Sequence, residues 1–170
     1  MQDQEGLKVS HYRKTNQFPF IAVALAIAVG LGFGVPATGQ DAGPVSPNLT
    51  PKLRDLLRQE MLSIEQASKD ILSALIAGDD ARVAGLAQQI YDSFILQQSM
   101  TPDDKQDLMA AVPKDFVTRD QAFHRLSADL AQAGRDGDRE AQHAGFGRMI
   151  EACTACHVRY AADRFPMLAE

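Results

Sequence analysis

The ten residues EACTACHVRY, Glu151 to Tyr160, hold both cysteines of the chain. Cys153 and Cys156 are three positions apart, and His157 directly follows the second cysteine. On a helix, these spacings put all three side chains on one face. Two thiols and an imidazole in this arrangement can carry out thiol redox chemistry, bind a metal ion or attach a haem covalently.

Three alternatives to haem attachment, namely a redox-active thiol pair, a zinc site and a disulfide, fit the surrounding sequence poorly. A redox-active CxxC needs its first cysteine at the N-terminus of a helix that follows a strand, whereas this pair lies deep inside a predicted helix. A zinc site needs four ligands, and the chain has no second cysteine pair, so His143 or His124 would have to be recruited. A disulfide across three positions of one helix has poor geometry.

Covalent haem attachment uses all three residues. In the CxxCH signature both thiols add to the haem vinyl groups, and the adjacent imidazole coordinates the iron. A buried porphyrin would also supplement a core that has no tryptophan and only 6% aromatic residues. We therefore predict one covalently bound haem c with its iron, attached through Cys153 and Cys156, with His157 as the proximal ligand.

The elements that must position these residues are all predicted to be helical. After Thr50 the apolar residues follow a helical period, and no stretch alternates like a strand. The pattern predicts long helices over about 51–78, 80–98, 114–133 and 138–165, and a short helix over 102–111. Two short turns and one long crossing join the long helices, which predicts an all-α, antiparallel four-helix bundle with the haem near the C-terminal end of the last helix.

The first fifty residues differ in kind from the rest. Lys8, Arg13 and Lys14 precede an uncharged apolar run, FPFIAVALAIAVGLGFGV, over residues 18–35. Residues 1–39 are therefore predicted to be a signal peptide or an uncleaved membrane anchor, which in the second case tethers the protein through residues 18–35. Both alternatives place the remainder outside the cytoplasm, in the periplasm, where c-type haem is attached. Residues 40–50 are predicted to be a flexible linker and residues 51–170 the haem-binding domain.

The charge balance limits the classes of molecule that the protein can bind. Seventeen basic against 22 acidic residues give a net charge of -5, which excludes the basic surface that nucleic-acid binding needs. We expect a redox protein as partner and an electron carrier rather than an enzyme. The sequence is compatible with a monomer and with a homodimer.

The position of the motif adds a family resemblance. CTACHVRY near the C-terminus, four predicted helices, the long crossing and the export signal together resemble the class II cytochromes c, the cytochrome c' family, over residues 51–170. Tyr160 matches an aromatic residue that is common after the histidine. Thr154 and Ala161 depart from the family pattern, which often has basic residues there, and Arg159 and Arg164 are candidate substitutes.

Function depends on the ligand at the second axial position of the iron. In an antiparallel bundle the start of the first helix is level with the end of the last one. Met61 is ten residues from Pro51, and His157 is eight residues from Phe165. At a rise of about 1.5 Å per residue, the two residues lie within a few ångströms of the same height along the bundle axis. The helical period also predicts that Met61 lies on the inward stripe of the first helix, although a methionine there can equally be plain core packing.

The resemblance points to the same methionine. LRQEM, Leu57 to Met61, resembles an arginine and methionine pattern of the family, whose low-spin members use the methionine as axial ligand. It implies that Arg58 pairs with a haem propionate, whereas without the resemblance Arg58 is an ordinary surface arginine. His124 on the third long helix is the alternative distal ligand.

Three functions follow from these predictions. The first is one-electron transfer between redox proteins, with Met61 on the iron. The second is a high-spin cytochrome c' with an open distal site that binds NO or CO beside Met61. The third is a helical structural or metal-binding module without haem.

Overall fold

A computed structural model describes residues 43–168, and within them every regular element is a helix. The prediction of an all-α fold is confirmed. The α-helices are α1 (Pro51–Ala77), α2 (Asp80–Asp92), α3 (Leu96–Ser99), α4 (Pro102–Ala111), α5 (Lys114–Asp136) and α6 (Arg139–Tyr160). Four of them are long, α1, α2, α5 and α6, which is consistent with a four-helix bundle. None of the helices in residues 43–168 has the length and apolar character needed to cross a membrane.

Helix α1 begins and ends where its sequence predicts. The hydroxyl of Thr50 accepts a hydrogen bond from the Leu53 N–H at 3.3 Å, and Pro51 occupies the first turn, where no N–H is needed. At the other end Gly78 adopts a left-handed φ of 69°, and its N–H bonds back to α1. These caps fix the length of the helix that carries Arg58 and Met61.

Helix α2 is shorter than predicted. The apolar period continues to Gln98, but the helix ends at Asp92, and Ser93 takes a positive φ of 61°. The N–H groups of Phe94, Ile95 and Leu96 bond to the carboxylate of Glu60 and not to helix carbonyls. A tertiary contact from α1 therefore replaces the last turns of α2.

Helix α6 also ends early, at Tyr160 and not at Phe165. Pro166 follows Phe165, and a residue before proline is disfavoured in helical geometry. The N–H groups of Arg164 and Phe165 both bond to the carbonyl of Ala161, at 2.9 and 3.1 Å. The chain thus turns back on itself immediately after the motif.

The buried apolar side chains form two clusters. The central cluster lies among α1, α2, α5 and α6 and consists of Ile64, Ala67, Ile71, Ala74, Val83, Ala87, Ile90, Leu130, Ala131 and Met149. The end cluster consists of Val45, Leu49, Leu53, Val112 and Tyr160, with Leu57, Val117 and Cys156 among the residues packed against it. Helix α5 packs closely against both α2 and α6, whereas α1 and α6 approach each other at only a few points.

Residues 43–50 are partly folded, although the linker was predicted to extend to residue 50. Ser46–Asn48 form a short 3-10 turn, and Val45 and Leu49 are buried in the end cluster. The N–H of Val45 donates a hydrogen bond to the carbonyl of Tyr160 at 3.0 Å. Residues 45–50 are therefore part of the domain. The signal peptide or anchor predicted over 1–39 lies outside the described residues.

Candidate functional site

The last two turns of α6 carry the predicted attachment residues. Cys153 and Cys156 are free thiols, and both are partly buried, as is His157. Their spacings of three and four residues along one helix give them a common face. The motif thus lies at the C-terminal end of the last long helix.

The electrostatics of these groups disfavour a reactive thiolate. Burial raises the pKa of Cys153, and burial followed by the charge of Asp120 raises the pKa of Cys156 to about 11. Thiols of this kind stay protonated at neutral pH, unlike the low-pKa cysteines of redox and metal sites. Burial also lowers the pKa of His157, which favours the neutral imidazole that coordinates a metal.

The end of α6 is held to α5 by polar contacts. The buried Tyr160 donates its hydroxyl hydrogen to Asp115 at 2.7 Å, and Arg119 and Arg159 approach the same carboxylate oxygen at 2.9 and 3.3 Å. Hydrogen bonds from Arg119 and Tyr160 lower the pKa of Asp115, so it remains charged. This network fixes the register of α6 next to the motif. It also engages Arg159, one of the two arginines considered as substitutes for the family's basic residues.

A polar level separates the two apolar clusters. Along α1 it falls between Leu57, in the end cluster, and Ile64, in the central cluster, and it contains Glu60 and Met61. Along α5 the same interval contains Asp120. Burial raises the pKa of Asp120, as does the charge of Glu60, while His124 opposes the rise. The motif begins at the corresponding level of α6, since Cys153 lies between Met149 and Cys156.

Glu60 is a site residue that sequence reasoning missed. Its carboxylate is buried, with 2% of the residue exposed, and accepts four hydrogen bonds of 2.7–3.1 Å. The donors are the Ser93 hydroxyl and the N–H groups of Phe94, Ile95 and Leu96. The available signal was a glutamate at an inward helical position, spaced with Leu53 and Ile64. Charged residues are rarely buried unless paired, so the pattern alone suggested a surface residue.

Met61 lies at the edge of the inward stripe, so its predicted position on that stripe is wrong. The buried stripe of α1 runs through Glu60 and Ile64, and Met61 is 37% exposed. Met61 nevertheless follows Leu57 by one turn and therefore lies on the same edge of α1. Leu57 packs against the end cluster, as does Cys156. Met61 is thus on the edge of α1 that continues from this contact.

The other two predicted residues have different surroundings. The Arg58 guanidinium donates to Asp55 at 2.7 Å on the exposed surface of α1. His124 is largely buried, with 13% of its side chain exposed, and its Nε2 is 3.8 Å from an Asp120 oxygen. Its buried Nδ1 has no hydrogen-bond partner among the residues that the structure describes. His124 is therefore better enclosed than Met61.

The residues present fit a covalently attached haem. The two thiols are free, and they are only partly buried, as is the imidazole beside them. The core changes from one apolar cluster to the other at this level, where the buried Nδ1 of His124 has no hydrogen-bond partner within residues 43–168. Cys153 and Cys156 would hold the haem through thioether bonds, and His157 would supply the proximal nitrogen.

Comparison with known proteins gives one match. The sequence model of the family described as Cytochrome C' matches residues 56–161, more than half of the chain. The matched range includes the motif, Tyr160, His124, Arg58 and Met61. No curated protein and no solved structure matches the chain.

Proposed function

This chain belongs to the cytochrome c' family, and from that premise we propose that it is an exported, monohaem electron carrier. The family implies covalently bound haem c with iron. The observation that carries the proposal is the CxxCH motif on the last turns of α6, with both thiols free. When bound, haem c supplies an iron that exchanges one electron with a partner.

The protein's own residues would hold and tune this group. Cys153 and Cys156 anchor it, and the neutral His157 binds the iron. The network around Asp115 and Tyr160 keeps α6 in register with α5. We propose that the protein acts as an electron carrier and not as an enzyme.

We propose Met61 as the distal ligand. It lies on the edge of α1 that bears Leu57, and Leu57 packs against the same cluster as Cys156. The preceding residue, Glu60, is fixed by four hydrogen bonds, which hold this turn of α1 in place. A methionine and histidine pair raises the reduction potential, which suits an electron carrier. We also propose that Arg58 pairs with a haem propionate, for which it would give up its ion pair with Asp55.

One observation favours a second function. Met61 is 37% exposed and packs in neither apolar cluster. If its thioether does not bind the iron, the distal position is open and suits a small ligand such as NO or CO. His124, largely buried at the same level, is the other candidate ligand.

The proposed location is the periplasm, which is typical of the family. The apolar run over residues 18–35 would either be cleaved with the signal or tether the protein to the inner membrane. Another redox protein is the proposed partner, and the domain would act as a monomer or a homodimer. Nucleic acid is not a proposed partner, because the net charge is -5.

An absorption spectrum of the purified protein tests the proposal. We expect a covalently bound Soret-absorbing pigment, and in the ferrous state sharp α and β bands that do not shift with CO. Met61→Ala should give a broad high-spin spectrum that shifts with CO, because it removes the sixth ligand. Met109→Ala is the matched control, since Met109 is 57% exposed on α4.

Each other outcome has a distinct meaning. Absence of a covalent pigment would refute the haem proposal. A CO-sensitive high-spin spectrum in the unaltered protein would replace electron transfer by gas binding. A low-spin spectrum unchanged by Met61→Ala would transfer the distal role to His124, which His124→Ala would then test.

A further inference from the structure

The ring of Phe165 stacks on the imidazole of His157. The two ring centroids are 4.4 Å apart, and the ring planes are only 5° from parallel. The turn after α6 produces this contact, because the N–H groups of Arg164 and Phe165 both bond to the Ala161 carbonyl. The ring therefore returns over the helix turn that carries His157.

The contact is more specific than the burial of an apolar side chain requires. Phe165 is still 41% exposed, and its neighbour Met167 is 79% exposed, so the turn as a whole is not buried. A parallel contact covers one face of the imidazole and restricts its rotation about the bond to Cβ. An aromatic pair of this geometry favours the stacked orientation by about two- to tenfold.

Resting on the proposed function, we infer that Phe165 is a positioning residue for the proximal iron ligand. It fixes the plane of the His157 ring and shields one face of that ring from water. The orientation of an axial imidazole determines how unpaired spin is distributed over a haem, so the contact controls an electronic property of the site without touching the iron. Tyr160 and Asp115 hold the helix, whereas Phe165 holds the ligand ring itself.

The test compares three variants of the full chain with haem attached. Phe165→Leu keeps an apolar side chain but removes the ring, Phe165→Tyr keeps the ring, and Met167→Ala alters the same turn at a more exposed position. The proton NMR shifts of the haem methyl groups in the ferric protein report the orientation of the imidazole plane. The urea midpoint of unfolding serves as the structural readout.

We expect the pattern of haem methyl shifts to change in Phe165→Leu and to remain as in the unaltered protein in Phe165→Tyr and Met167→Ala. The partial exposure of Phe165 means that all three variants should fold with similar urea midpoints. An unchanged pattern in Phe165→Leu, or an equal change in Phe165→Tyr or Met167→Ala, would overturn the inference alone. A chain without covalent haem would overturn the proposed function and this inference together.

Discussion

Glu60 shows what a single residue can do at the boundary between the two apolar clusters. Its carboxylate holds the segment from Ser93 to Leu96 against α1, directly beside Met61. The sequence predicted the CxxCH residues because their spacing is local and their chemistry is specific. It could not predict Glu60, because the four donors come from residues more than thirty positions away.

Replacing Glu60 with alanine should destabilise the fold strongly. The change removes a buried carboxylate and leaves the buried Ser93 hydroxyl and the partly buried N–H groups of Phe94, Ile95 and Leu96 without their acceptor, which costs roughly 3–5 kcal/mol. Urea unfolding at pH 7 measures the loss. Glu65→Ala is the matched control, because Glu65 is a glutamate of the same helix with 58% of its side chain exposed. Equal losses in the two variants would contradict the role given to Glu60.

At the scale of the elements, local signals defined the helices whose ends are capped locally. Thr50, Pro51 and Gly78 fixed α1 correctly, because a cap depends on residues within one turn. The predicted end of α2 was wrong. The apolar period continues through Leu96, but the N–H groups of Ile95 and Leu96 bond to Glu60 instead of continuing the helix. A helical period predicts which face of a helix is apolar, but it does not predict which backbone groups will form hydrogen bonds to another element.

The packing of α2 against α5 depends on a glycine. A Cβ atom added to Gly134 would lie 2.8 Å from the Ala84 nitrogen and 2.9 Å from the Asp80 carbonyl oxygen. Because both atoms belong to the backbone, the two helices would have to separate. We expect Gly134→Ala to destabilise the protein by about 1–3 kcal/mol.

A second glycine supplies the control for this prediction. Gly147 lies in α6 with nothing within 4 Å of an added Cβ. Gly147→Ala should therefore stabilise the protein by about 0.5–1 kcal/mol, because alanine is the better helix former. Thermal unfolding of both variants gives the comparison. Two shifts of the same sign would show that helix propensity, and not the approach of α2 to α5, determines the result.

At the scale of the whole domain, the segment before α1 closes the end that carries the motif. Val45 and Leu49 are buried at 4% and 3% exposure, and Val45 bonds to Tyr160. Composition suggested a linker here, because glycine, proline and serine outnumber apolar residues in residues 40–50. Two apolar side chains separated by one short turn were sufficient to fold its last part onto the domain.

Leu49→Ala should therefore lower the stability of the whole domain. Removing a buried leucine side chain costs about 2–4 kcal/mol. The exposed Asn48 provides the control, and Asn48→Ala should change the stability by less than about 0.5 kcal/mol. Urea unfolding followed by circular dichroism measures both. If Leu49→Ala proves as mild as Asn48→Ala, residues 45–50 do not contribute to the folded domain.

The sparse contact between α1 and α6 bears on how the protein matures in the cell. These helices carry the proposed distal and proximal ligands, yet their backbones meet at only a few points. Helix α6 is the last of the long helices in residues 43–168, so in the proposed export its thiols would leave the channel after the helices that precede it. Haem ligation would then be the step that joins the first helix to the last. On this view haem attachment is a late folding event. Chains without haem would keep a weakly packed contact between α1 and α6, which proteases can recognise.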